Sequence, residues 1–189
     1  MNISLAAFPS HDNRAMLTHK IDICEAKRSP LVKVQWSQSN DFHVMVGVIP
    51  DVQNKDIRAI SLSMTSVSQV PPFMATVEKV RLYGNAIVLC VEPYQQFLKI
   101  HQKMDSKLKE ATLNRYQFHL KGRFDPYMIV GRIKNLRDLN LAHKQDFMNL
   151  VEEQLRSFAF LIQQAALLLR LPESSTPAYQ TIQLFNLQR

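Results

Sequence analysis

DFHVMVGVI (Asp41 to Ile49) and DPYMIVGRI (Asp125 to Ile133) lie 84 positions apart and share Asp, Val, Gly and Ile at equivalent places. Apolar also matches apolar at the fifth position, Met45 against Ile129. The chain has only four glycines, and two of them, Gly47 and Gly131, occupy the same point in these segments. Side chains alternate along an extended chain, so His43, Met45 and Gly47 share one face; Tyr127, Ile129 and Gly131 share the equivalent face of the second copy. A duplicated strand with a chemically capable residue at its third position predicts two half-sites on one groove. His43 and Tyr127 would then look at each other across a pseudo-two-fold. By the same parity Arg132 points away from Tyr127, unless a bulge at Gly131 re-aims it.

The elements around these two strands follow from periodicity. Ile3 to Phe8 is a short apolar run ended by Pro9, and Ser10 is an N-cap candidate for a helix to about Lys27 with Leu17, Ile21 and Cys24 inward. Leu31 to Trp36 reads as a strand. Ile57, Ile60, Met64 and Val67 recur at helical spacing. Phe73 to Tyr83 and Ala86 to Val91 form two strands around the turn signal Gly84-Asn85. A helix from Pro93 to about Leu113 carries Phe97, Ile100, Met104, Leu108 and Ala111 inward, with Lys99, Lys103 and Lys107 along another side. A further helix, about Asn140 to Arg156, turns Phe147, Leu150, Val151 and Leu155 inward. Phe158 to Leu171 and Tyr179 to Leu187 close the chain as strands split by PESSTP. No linker separates the halves, which predicts one α+β domain over residues 1–189, built of two interleaved lobes with mostly antiparallel sheets around a central groove and helices outside.

Composition narrows the function classes. The chain has 189 residues with 46% hydrophobic and 21% charged, enough for a proper core. MNISLAAFPS has no basic n-region, and the longest uncharged stretches are broken by prolines or glutamines, so a cytoplasmic protein without a membrane partner is expected. Cys24 and Cys90 read as two free buried thiols, and the six histidines form no ligand cluster, so no metal and no cofactor are expected. Net charge is +7, and Lys99 to Arg123 holds seven Lys/Arg against Asp105 and Glu110. This surplus suits a phosphate-bearing partner or a solvated helix face.

The motifs, their spacing and the element order resemble the 2H phosphoesterases, the superfamily of bacterial 2′-5′ RNA ligase-like proteins and RNA 2′,3′-cyclic phosphodiesterases. That family carries two copies of His-x-Thr/Ser-hydrophobic, each on a central strand of one lobe. The matching positions here are HVMV (His43 to Val46) and YMIV (Tyr127 to Val130). The resemblance covers essentially the whole chain, including the lead-in RFDP (Arg123 to Pro126). It implies that His43 and Tyr127 stand where the family has its acid–base histidines, and Met45 and Ile129 where it has phosphate-holding hydroxyls. Three of the four functional side chains are therefore replaced. Tyrosine, with an ordinary pKa of about 10, is a poor base at neutrality, and Met and Ile donate nothing to a phosphate. The implied function is a nucleotide- or RNA-end-binding protein with weak, altered or lost phosphodiesterase activity, using His43 and Tyr127. Lys121, Arg123 and Arg132 are its phosphate-contact candidates. The second reading is a non-catalytic RNA- or protein-binding module that keeps the fold.

Overall fold

The strands form a closed ring, and the repeated segments are neighbours in it. The computed structural model describes residues 1–119, 125–171 and 179–188. In chain order the elements are β1 (Ile3–Pro9), α1 (His11–Lys27), β2 (Val34–Trp36), β3 (Val44–Ile49), α2 (Ile57–Ser63), β4 (Phe73–Tyr83), β5 (Ala86–Glu92), α3 (Tyr94–Ala111), β6 (Tyr127–Ile133), α4 (Leu141–Leu155), β7 (Ala159–Arg170) and β8 (Tyr179–Asn186). All pairings are antiparallel, and β1, β3, β6, β5, β4 and β7 close on themselves through the β1–β7 pair. β2 is added beside β6, and β8 beside β7.

The local signals act as expected. Ser10 caps α1, its hydroxyl accepting from the Asn13 amide, and Leu17, Ile21 and Cys24 are the buried stripe. Gly84 takes φ +60° in the β4–β5 turn, a conformation glycine enters without a Cβ penalty. Phe97, Ile100, Met104 and Leu108 bury one side of α3. Ala111, the last residue of the helix, is exposed instead. The strand expected from Leu31 is only Val34–Trp36; the preceding residues turn, with Val32 N–H donating to Ser29 O. Cys24 is buried, whereas Cys90 is half-exposed on β5 rather than enclosed. PESSTP, Lys121 and Arg123 fall outside the described residues.

The repeat is reproduced in three dimensions. Val44 and Met128, equivalent in the two copies, pair with each other, so the pseudo-two-fold passes between them. Each copy carries a β-bulge at the same place: Leu5 and Ala6 oppose Gly47 and Met45, leaving Val46 extra, and Ile87 and Val88 oppose Gly131 and Ile129, leaving Val130 extra. From Val44 and from Met128 onward, burial follows the same sequence of buried and open positions. Even the short β2 has a counterpart, since the bridge of His119 to Val48 corresponds to the pairing of Gln35 with Arg132. Each carbonyl at a bulge finds a donor: His101 Nδ1–H gives to Val46 O at 3.0 Å, and the Ser37 amide gives to Val130 O at 2.9 Å.

Most of the core, from Ile3, Leu5 and Val44 to Phe160 and Leu167, lies between the ring and the helices. A second, smaller cluster of Ala6, Phe8, Ala166 and Leu168, joined by Tyr179, belongs to the opposite face. That helix-free face is where the two repeat strands present their third and fifth positions.

Candidate functional site

Directly paired residues project to the same side of a sheet, so the strand register lays out the helix-free face. One row crosses it as Lys79, Cys90, Tyr127, Met45, Ala6, Ala166 and Leu184, each paired with the next. A second run places Arg81 beside Val88 and Ile129. The bulge at Val130 settles the parity of Arg132: the extra residue turns it onto the side of Tyr127 and Ile129, where it is exposed. Arg170 and Tyr179 pair at the other end of the face.

The two halves of this face are unequal. His43 is only 7% exposed, held between the Phe8 ring (centroids 5.6 Å) and the Tyr179 ring, which meets it edge-on at 4.8 Å. Its Nδ1 is buried and has no hydrogen-bond partner among the described residues. Burial pushes the imidazole down to about 4, against a smaller opposing effect of the Asp41 backbone. The ring is thus neutral at physiological pH. Tyr127, its counterpart, is 36% exposed, and its backbone sits opposite Met45. Among the tyrosines, Tyr179 is the one in ring contact with His43. Burial also holds the Tyr179 phenol above its ordinary value, with Arg170 and then Arg132 pulling it back and Tyr127 and Asp41 adding to the rise. Tyr179 therefore stands against His43 and beside its strand partner Arg170.

Met45 and Ile129 are half-buried and, with Ala6, Phe8, Ala166 and Leu168, give the face an apolar floor. The cations sit around it, from Lys79 and Arg81 on β4 to Arg132 and Arg170. The Cys90 thiol is raised mainly by burial, with Arg81 and Lys79 acting against it. Elsewhere, three of the four α3 lysines are engaged on the surface: Lys107 pairs with Glu110, Lys109 with Asp105, and Lys103 donates to Gln69. Arg115 pairs with Asp56. His119 bonds through its backbone to Val48, at the far end of β3 from His43. No described helix is long and apolar enough to cross a membrane.

No protein-family model matches the sequence, and no curated protein matches it. Solved structures do. E. coli LigT complexed with 3′-AMP superposes with a TM-score of 0.64 at 12% identity, over 100% of this chain and 98% of that one. TT0787 of Thermus thermophilus gives a TM-score of 0.70 at 13% identity, over 99% and 98%. The MHV ns2 PDE domain gives 0.53 at 12% identity, over 74% and 83%. The chain has the 2H phosphoesterase fold. In this chain the fifth position of one copy, Met45, pairs with the third position of the other, Tyr127.

Three residues at the His43 end of this face escaped the sequence reading. Phe8 and Tyr179 enclose His43, and Arg170 completes the cationic rim with Arg132. Tyr179 and Arg170 lie on the last two strands, and only the β7–β8 register brings them here. Lys79 and Arg81 had a readable signal, the polar alternation of β4, but nothing in the sequence says which strand faces them.

Proposed function

We propose that this chain binds the phosphate-bearing end of a nucleotide or RNA on the helix-free face and does not turn it over by two-histidine chemistry. The observation that carries this reading is the burial of His43 beneath Phe8 and Tyr179, beside an exposed Tyr127 and two exposed arginines. An enclosed imidazole is out of reach of a phosphodiester, and in its neutral form it is far too weak an acid to protonate a leaving group near neutral pH. Tyr127 and Tyr179 supply surfaces for a base, and Arg132 and Arg170 supply the fork geometry that suits phosphate oxygens. E. coli LigT has been crystallised with 3′-AMP, with ATP, with NADP+ and with phosphate, which supports a nucleotide-type ligand on this fold.

The test has a catalytic arm and a binding arm. Purified protein and its His43→Ala variant are incubated with 2′,3′-cyclic nucleotides and 2′-5′-linked oligonucleotides. Both are expected to leave the substrates unchanged; turnover abolished by the substitution would overturn the non-catalytic part. In the binding arm, affinity for a short single-stranded RNA is measured over a range of salt. Arg132→Gln is expected to weaken binding about tenfold and to lower the salt slope by about one, because one phosphate contact and its released counterion are lost. RNA affinity that is absent even at low salt would point instead to a protein partner.

A further inference from the structure

A further row crosses the helix-free face at its β4–β5 hairpin end. Tyr83 pairs with Ala86, Ala86 with Arg132, and Arg132 with Gln35. The ladder runs one step past the start of β2, since the Lys134 amide donates to Lys33 O at 2.8 Å. Lys33 and Lys134, two residues from Gln35 and Arg132, therefore project on the same side. Arg81 stands two residues before Tyr83 on β4 and shares that side as well. All six of the polar and charged side chains at this corner are exposed.

The corner keeps a surplus of positive charge. Among the described residues no ion pair engages Lys33, Arg81, Arg132 or Lys134, and Arg132 donates to the neutral Asn85 Oδ1 at 3.4 Å. The carboxylates of these strands lie elsewhere. Glu78 is taken by Lys79, and Glu25 is held by Arg28 and Trp36 on the helix side of the sheet. Glu92 is six residues along β5 from Ala86, roughly 20 Å at the rise of a strand. Asp125 precedes Tyr127, farther still from Arg132, and Asp138 in the turn after β6 is offset by its neighbour Arg137. Amid these cations Tyr83 is 83% exposed, more than any other aromatic side chain among the described residues, so the core does not account for it. An open ring among unpaired guanidinium and ammonium groups is the composition that holds a single nucleic-acid strand: the cations follow phosphates and the ring takes a base.

We propose that this corner carries a single strand of RNA onward from the nucleotide end held at Tyr127 and Arg132, with Tyr83 stacking a base and Arg81, Lys33 and Lys134 meeting phosphates. The inference rests on the end-binding reading of the same face and adds the substrate class, a strand several nucleotides long rather than a free mononucleotide. From Tyr127 to Arg132, with Val130 bulged out, β6 runs about 13 Å, and from Arg132 to Tyr83 the row spans two strand spacings, about 10 Å. Stacked nucleotides advance about 3.4 Å each along a strand, so one nucleotide does not cover this distance.

Calorimetric titration of the whole protein with uridine 3′-monophosphate and with a 3′-phosphorylated uridine hexanucleotide tests this. The hexanucleotide is expected to bind at least about tenfold more tightly. Tyr83→Ala should weaken the hexanucleotide about tenfold and leave the mononucleotide unchanged, whereas Tyr83→Phe keeps the wild-type values for both. Lys33→Gln combined with Lys134→Gln should lower the hexanucleotide salt slope by about 1.4, the loss of two single-strand phosphate contacts. The substituted side chains are exposed, so the melting temperature of each variant should match that of the wild type. A hexanucleotide that binds no more tightly than the mononucleotide overturns the path and leaves the end-binding reading standing; no binding of either at low salt overturns both. A heparin fragment of equal charge that binds as tightly as the hexanucleotide would show that charge alone is read, and would overturn the assignment to RNA.

Discussion

Acidification from about pH 7.5 to about pH 4.5 is expected to cost this protein most of roughly 3 kcal/mol of folding stability through His43 alone. The unfolded ring takes a proton near its ordinary 6.5, whereas burial holds the folded ring neutral down to about 4. A group depressed in this way is fully compatible with the fold above the upper value. Its contribution then falls as pH drops through the window, because the unfolded state binds a proton that the folded state refuses. Below about 4 nothing more is lost, since both states are protonated. The measurement is urea unfolding of the wild type and of His43→Leu at both pH values. Carboxylates titrate in both proteins, so the difference between the two pH dependences isolates the imidazole. The variant should lose markedly less on acidification; identical losses would mean that the ring is not enclosed.

The same burial bears on chemistry. The position that the family resemblance marks for an acid–base histidine holds a ring that packs between two aromatics. The neighbouring position that would hold phosphate carries Met45. Both features act in one direction: the retained imidazole is packed away between aromatics, and its neighbour offers an apolar side chain. Across the pseudo-two-fold the exchange is different: Tyr127 stays exposed, and the bulge brings Arg132 to its side. One half of the face thus keeps exposed polar groups, while the other is closed by aromatic and apolar side chains.

Much of this was legible in local sequence, and the rest was not for identifiable reasons. The Ser10 cap, the Gly84-Asn85 turn and the α3 stripe depend on neighbours within a few residues, and they stand where periodicity puts them. Strand parity placed His43 with Met45 and Tyr127 with Ile129, but it misplaced Gly47 and Gly131, which the bulges at Val46 and Val130 turn to the core side opposite Leu5 and Ile87, and it could not reveal what else occupies the outer face. Phe8 and Tyr179 reach His43 only because β1 pairs with both β3 and β7, and β8 follows β7; these are contacts between opposite ends of the chain. Arg132 was ambiguous because a bulge is a property of a strand pair, and the repeated Val-Gly signalled it only by its repetition. His101, which serves the Val46 carbonyl, looked from sequence like any polar residue on an amphipathic helix.

The duplicated glycines should fail in different ways when a methyl group is added, although their sequence contexts match. A Cβ at Gly47 would lie 2.7 Å from Phe118 Cδ1 and 3.1 Å from His101 Nδ1. One at Gly131 would lie 2.9 Å from Trp36 Cε3, but also 3.2 Å from Gln35 O and 3.4 Å from Trp36 Cα. Each glycine thus makes room for an aromatic ring, and neither is needed for its backbone angles. Gly47→Ala and Gly131→Ala should each destabilise by about 1–3 kcal/mol, the usual cost of overpacking. At this chain length that corresponds to a fall of about 2–4 °C in melting temperature per kcal/mol. The obstruction at Gly47 is made of side-chain atoms, so Phe118→Leu should restore part of the loss, a favourable coupling in a double-mutant cycle. At Gly131 the backbone of β2 is part of the obstruction, and β2 is fixed in register by Trp36 opposite Gly131 itself. Trp36→Leu should therefore add its own cost, including the lost bond from Trp36 Nε1–H to Glu25, with little rescue. Equal rescue at the two sites, or a Gly47→Ala variant as stable as the wild type, would contradict this account of why the repeat keeps both glycines.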